Sequence, residues 1–322
     1  MTKKMATRQA FGEALAELGA VNPNVVALDA DLYRSTMSLL FAQKFPERFF
    51  DLGIAEQDMV STGAGLAAAG KIPFVSTFAV FAAGRACDQI RQQVALPRLS
   101  VKICGSSAGI TQGPDGATHQ SVADVAIMRA LPNMTVVVPA DEMETKKAVF
   151  AAADFDGPVY LRLGRWDVPA IFADDYDFHI GKAVVMREGT DVSICANGTL
   201  LHIVLEAAGK LANEGISAQV VNVHTVKPLD EQTILTCAAE TGAVVTAEEH
   251  SVIGGLGGAI AELLSEKAPT PLKRVGIQDV FGQSGTADEL MEKYGLTVGG
   301  VISAVHEVLR LKQGHQTERA KP

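Results

Sequence analysis

One pattern constrains this chain more than any other: short apolar runs alternate with helix-length segments from one end to the other. Residues 25–28, 72–76, 99–104, 134–138 and 159–163 are apolar and largely β-branched. Between them, 38–44, 57–69, 84–96, 121–130 and 142–153 have helical character. Apolar runs of this length suit strands covered on both faces, so the pattern predicts a mainly parallel sheet flanked by helices. Ahead of them, Phe11, Leu15 and Leu18 share one face of an amphipathic first helix. Asp141 followed by Glu144 is a capping pattern opening the helix at 142–153. Pro97 and Pro139 mark boundaries.

The alternation breaks at 166–180, which is rich in Asp, contains Pro169 and has no clear period. It resumes with strands expected at 192–196, 218–223, 243–248 and 273–277, and helices at 199–213, 231–240, 258–267 and after Thr286 and Val298. A length of 322 residues suits two domains, and 48% hydrophobic residues supply two cores. The expected fold is therefore α/β, with two doubly wound domains, each a mainly parallel or mixed sheet flanked by helices. The expected boundaries are 1–168 for the first domain, 169–181 for a linker and 182–322 for the second.

A formal net charge of −9 argues against nucleic acid as a partner, because phosphate backbones require clustered Lys and Arg. The one dense basic cluster, Lys312 to Lys321, reads as a frayed polar end. Cys87, Cys104, Cys195 and Cys237 are far apart and lack metal-ligand or redox spacing, so reduced thiols are expected. No apolar run reaches membrane-spanning length, and the N-terminus lacks a long apolar stretch. The expectation is a soluble, cytoplasmic protein with no membrane partner.

Three segments can carry chemistry. Asp51-Leu52-Gly53-Ile54-Ala55-Glu56 sets a carboxylate at the head of a helix built of Gly63, Ala64, Gly65, Ala67 and Ala68. Residues that small allow close backbone approach, and burial there would favour a retained or shared proton. A carboxylate stabilised by the helix dipole accounts for the same position. Phe78 and Phe81, three apart, can form an apolar slot for a planar heterocycle or simply fill the core. Gln112-Gly113-Pro114-Asp115-Gly116-Ala117-Thr118-His119 is a polar turn-rich loop that can aim Asp115 and His119 into one cleft. Such a pair suits hydroxyl recognition and proton transfer, while an Asx turn with an incidental His is the plainer account.

Together these segments resemble the transketolase family of thiamine-diphosphate enzymes, over roughly residues 5–310. The resemblance implies that Glu56 hydrogen-bonds the cofactor's aminopyrimidine and that Phe78 and Phe81 contact its ring, with Asp31 near the cofactor. The Asp-Gly-x-Thr-His run implies that Asp115 and His119 meet sugar hydroxyls, with His119 catalytic alongside Glu56. Arg8, Ser35 and Arg165 match positions that bind the substrate's terminal phosphate, a task suited to guanidinium forks. Two departures stand out: Gly84 replaces a family tyrosine, and 104–109 lacks the histidine often found there. The family's Gly-Asp-Gly diphosphate anchor is also missing. The resemblance therefore implies the pyrimidine-binding and C-terminal domains of a split transketolase. A separate N-terminal subunit would supply the diphosphate site and its Mg2+ or Ca2+, around a homodimer of this chain. It further implies transfer of a two-carbon ketol unit between sugar phosphates. The pyrimidine half of a 1-deoxyxylulose-phosphate synthase, a 2-oxoacid dehydrogenase β subunit, and a non-catalytic scaffold are the alternatives.

Overall fold

The computed structural model describes residues 4–319, with side-chain packing described through residue 314. In chain order the strands are β1 (Lys4–Ala6), β2 (Val25–Asp29), β3 (Phe49–Asp51), β4 (Ile72–Phe78), β5 (Lys102–Ser106), β6 (Thr135–Val137) and β7 (Val159–Arg162). They continue with β8 (Asp167–Pro169), β9 (Val184–Arg187), β10 (Val192–Ala196), β11 (Ala218–Asn222), β12 (Thr225–Lys227), β13 (Val244–Ser251) and β14 (Leu272–Ile277). Among the described residues one sheet runs β12-β6-β7-β5-β4-β2-β3 and a second runs β14-β13-β10-β11-β9. Every pairing in the first is parallel except β12 with β6, and in the second except β11 with β9. Both sheets are thus parallel at heart with one antiparallel edge, as the doubly wound expectation requires.

Burial follows the sequence pattern. All five residues of β2 are buried, as a strand covered on both faces must be. Phe11 and Leu15 of helix Thr7–Val21 are fully enclosed, with Leu18 beside them. Helix Glu56–Ala68 lies so close to β4 that a Cβ on Gly63 would stand 2.7 Å from the Val75 side chain. Glycine is required there for approach, while Gly65 and Ala68 leave the helix's outer face exposed.

Several expected elements shift. The helix expected at 84–96 starts earlier and is split into Ala79–Gly84, Cys87–Gln89 and a wide-turned Ile90–Ala95. Phe78 is consequently the last residue of β4, not a helical residue sharing a face with Phe81. The helix expected from 121 begins at Asp124 because the Ser121 and Val122 carbonyls accept from Gly109 N and Ser251 N. The stretch 166–180 is not featureless: β8 pairs with β1, and Asp141 Oδ2 accepts from Ile171 N and Phe172 N at 2.6 and 2.8 Å. The capping aspartate of helix Glu142–Asp154 therefore also ties down the connection between the two units. The strand β12, from the second half of the chain, returns to extend the first sheet. Helix Val298–Arg319 continues through most of the stretch expected to fray, and Lys312 Nζ donates to the carbonyls of Asp191 and Thr241. Lys321 lies outside the described residues.

All four cysteines are free, three of them buried. Among the described residues no helix is long and apolar enough to cross a membrane.

Candidate active site

The expected site residues gather where the first sheet's parallel strands end at their carboxyl edge, the usual place for ligands in such sheets. Glu56 opens its helix and is only 4% exposed. Its Oε2 has no hydrogen-bond partner among the described residues. A buried polar atom left unpaired costs about 1–3 kcal/mol, so it marks a place where a donor is missing. At the same carboxyl edge of the sheet, near the ends of β4 and β5, the hydroxyls of Thr77, Ser106 and Ser107 are also buried and unpaired among the described residues. Ser106 and Ser107 occupy the stretch where a histidine is missing, and Ser107 holds a φ of 52°.

The aromatic pair forms despite the shifted helix. Phe78 and Phe81 stack with centroids 5.9 Å apart and planes 17° from parallel. His119 stands edge-on to both rings, at 6.1 and 5.5 Å. Its Nδ1 lies 2.9 Å from the Thr118 hydroxyl. The structure thus brings the imidazole from the 112–120 loop onto the aromatic slot, a junction of two segments 38 positions apart in the case of Phe81 and His119.

Arg165, Asp115 and Gln112 form one cluster. Arg165 Nη1 donates to Asp115 Oδ2 and to the Gln112 carbonyl, both at 3.2 Å. The Gln112 amide also donates to Asp115, and this bond, with the Arg165 charge, holds the carboxyl below its ordinary range. Arg8 Nη1 donates to the Ser35 carbonyl at 2.9 Å. Burial, and then repulsion from Arg165, lowers the pKa of Arg8. Two guanidinium groups that repel each other at the edge of a cleft favour an anion between them. A cavity of about 480 Å³ beside Arg165 is lined by Lys4, Thr111, Gln112 and Trp166 and by Thr286 and Asp288 of the second half of the chain; Arg8 and Ser35 do not line it.

Asp31 is exposed, with φ of 60°, and its N–H donates to Asp51 Oδ1 at 2.9 Å. Among the described residues its carboxylate makes no hydrogen bond to Glu56. Sequence reasoning missed the residue that organises this turn. Asp29, fully buried at the end of β2, accepts from Leu32 N at 2.6 Å, Thr36 Oγ1 at 2.7 Å and Ser38 Oγ at 2.9 Å. It thereby fixes the loop that carries Asp31 and Ser35. Burial raises its carboxyl to about 6 against these hydrogen bonds. The available signal was an acidic residue closing an apolar strand ahead of a Ser/Thr-rich turn.

A second missed network lies beneath the loop. Arg162, inside β7, pairs with the wholly buried Asp124 at 2.8 Å, and Tyr160 donates to the same carboxylate at 2.8 Å. The signal was an arginine within an otherwise apolar strand.

Residues 3–170 match the family described as Transketolase, pyrimidine binding domain, and residues 181–301 match Transketolase, C-terminal domain. The chain belongs to the transketolase family. Within that family it corresponds to a subunit of the split kind, because it spans nearly the full length of subunit-sized relatives. It is 48% identical to a 6-deoxy-6-sulfo-D-fructose transketolase subunit from Clostridium sp., over 95% of this chain and 95% of that one. It is 38% identical to one subunit of an apulose-4-phosphate transketolase from Phocaeicola vulgatus, over 95% and 98%. A solved structure of a split gene transketolase, an inactive beta4 tetramer, superposes with a TM-score of 0.90 at 54% identity, over 96% of this chain and 99% of that one. The family implies thiamine diphosphate as cofactor.

Proposed function

We propose that this chain carries the pyrimidine half of the active site of a two-subunit transketolase, and that the orphaned, buried Glu56 Oε2 is the observation that carries the reading. An aminopyrimidine edge would supply the hydrogen-bond partner that atom lacks, and the Phe78–Phe81 stack beside the same strand ends offers an apolar face for its ring. Thiamine diphosphate, when bound, supplies the carbon that carries the two-carbon ketol unit. Glu56 acts on the aminopyrimidine by sharing a proton. His119 and Asp115 meet sugar hydroxyls, and His119 moves a proton at the substrate oxygen. Arg8, Ser35 and Arg165 hold the terminal phosphate, whose charge relieves the repulsion between the two guanidinium groups. Asp31 lies near the cofactor on the turn that Asp29 fixes.

In this reading the domain division falls at 1–168 and 182–322, with 169–181 between them. The metal, Mg2+ or Ca2+, sits with the diphosphate on the N-terminal subunit. The exposed small residues of helix Glu56–Ala68 face a second copy of this chain, giving a homodimer flanked by two partner subunits, in the cytoplasm. The inactive tetramer formed by the related split-gene subunit supports the need for a partner. The test is reconstitution. The purified chain alone should bind thiamine diphosphate weakly and show no ketol transfer, and the separately expressed diphosphate-binding subunit should restore both. Full turnover from the single chain would overturn the two-subunit reading.

A further inference from the structure

The loop that carries Asp115 and His119 is held by the second half of the chain, not only by its own sheet. Glu249, on β13, is 3% exposed. Its Oε1 accepts from Thr111 N at 2.7 Å, and its Oε2 accepts from Thr199 Oγ1 at 2.7 Å. Its backbone carbonyl accepts from Arg162 Nη2 at 2.8 Å, so the β13 backbone is itself tied to the buried Asp124–Arg162 pair. The fit is tight: a Cβ on Gly109, where φ is 78°, would stand 2.1 Å from Glu249 Oε1. Further along, Gln120 Nε2 donates to the carbonyls of Ile110, Gly113 and Gln283 at 3.3, 3.0 and 2.9 Å. A Cβ on Gly116 would lie 2.6 Å from Ser284 Oγ. The loop is thus touched at its start by Glu249, at its middle by Ser284 and at its end by Gln283.

We propose that Glu249 is a positioning residue for the substrate loop, and that the second domain serves catalysis by bracing residues 109–120 so that His119 and Asp115 face the aromatic slot. A carboxylate is well suited to the task. It accepts a backbone N–H of the first domain with one oxygen and a hydroxyl of its own domain with the other, joining two elements through one rigid group. It is buried beside Arg162, where the low local dielectric strengthens each of its hydrogen bonds. Only the kinetic part of this inference rests on the transketolase reading; the bracing itself does not.

Two measurements separate the two. In the isolated full-length chain, Glu249→Ala should quicken amide exchange across 109–116 by about tenfold or more. Glu249→Gln should stay within about twofold of wild type, because its amide can accept from Thr111 and donate to Thr199. In the complex with the diphosphate-binding subunit and thiamine diphosphate, Glu249→Ala should raise KM for a ketose phosphate about tenfold and lower kcat about as much, because the loop carries both Asp115 and His119, and Gln should restore both. Should the alanine variant not fold, the isosteric Thr199→Val carries the test, with exchange across 109–116 quickened about threefold. Unchanged exchange in a folded variant would overturn the brace. So would unchanged KM despite quickened exchange, or a glutamine variant as impaired as alanine. Quickened exchange in a chain whose wild-type complex shows no ketol transfer would support the brace and sink the enzymatic reading alone.

Discussion

Two buried glutamates stand at the heads of two helices rich in small residues, and they differ in one respect. Glu248 precedes helix Leu256–Lys267 and is 2% exposed, with Oε2 accepting from Leu256 N at 2.7 Å and Oε1 from Gly257 N at 2.8 Å. Glu56 opens helix Glu56–Ala68 and is nearly as buried, yet its Oε2 has no partner among the described residues. Glu248 is what a structural helix-head carboxylate looks like: both oxygens occupied, the first helical N–H groups satisfied, no space for an added anion. Glu56 retains an acceptor that folding has not used. A desolvated acceptor kept open leaves a place for a donor from a ligand or a partner subunit, although Asn222 Oδ1 and Thr246 Oγ1 are buried and unpaired among the described residues as well, so the open acceptor alone does not assign the role.

The largest expected effect is on the structural side. Glu248→Ala leaves two buried helix N–H groups unpaired at roughly 1–3 kcal/mol each, so denaturant unfolding should show a loss of about 4 kcal/mol. A loss below about 1 kcal/mol would mean that Glu248 is no cap. Next comes Asp29. Its carboxyl, raised by burial to about 6, lies above the unfolded value near 4. Its contribution to stability is therefore fully present below about pH 4 and is lost as pH rises through about 6, a total of about 3 kcal/mol. Asp29→Asn should flatten the wild-type fall in stability over that window; an unchanged pH profile would show that Asp29 does not titrate there. Arg165→Ala should weaken phosphorylated substrates about ten- to a hundredfold, from loss of roughly 1.5–3 kcal/mol, and change unphosphorylated ones little. Equal loss for both would make Arg165 a partner of Asp115 and Gln112 and nothing more.

The fold was legible because its signals are local. Apolar runs such as Val25-Val26-Ala27-Leu28 can be buried on both faces in only a few ways, and the Asp141 cap reads directly. What escaped was non-local. The start of the helix at Asp124 is set by carbonyls of Ser121 and Val122 that bond to Gly109 and to Ser251, far away in sequence. The return of Thr225–Lys227 to the first sheet is set by tertiary pairing that no local period announces. The site divides the same way. Glu56, Phe78, Phe81, Asp115 and His119 lie in short motifs, and the structure places the two phenylalanines and His119 in contact. Asp29 holds the turn that carries Asp31 and Ser35, and Glu249 holds the start of the loop that carries Asp115 and His119, through partners three to 138 positions away, and their types alone say only that buried acids need company.

The central claim is that Glu56 acts on the cofactor and is not a second Glu248. Glu56→Gln keeps the size and one acceptor oxygen of the side chain but cannot share a proton. Stability should therefore change by less than about 1 kcal/mol. The direct measurement is exchange of the thiazolium proton for deuterium, followed by NMR in the cofactor-loaded complex with the diphosphate-binding subunit. The account predicts that this exchange collapses in Glu56→Gln while the complex stays folded and loaded. Exchange at the wild-type rate in that variant would contradict it and return Glu56 to the role of a helix-end charge.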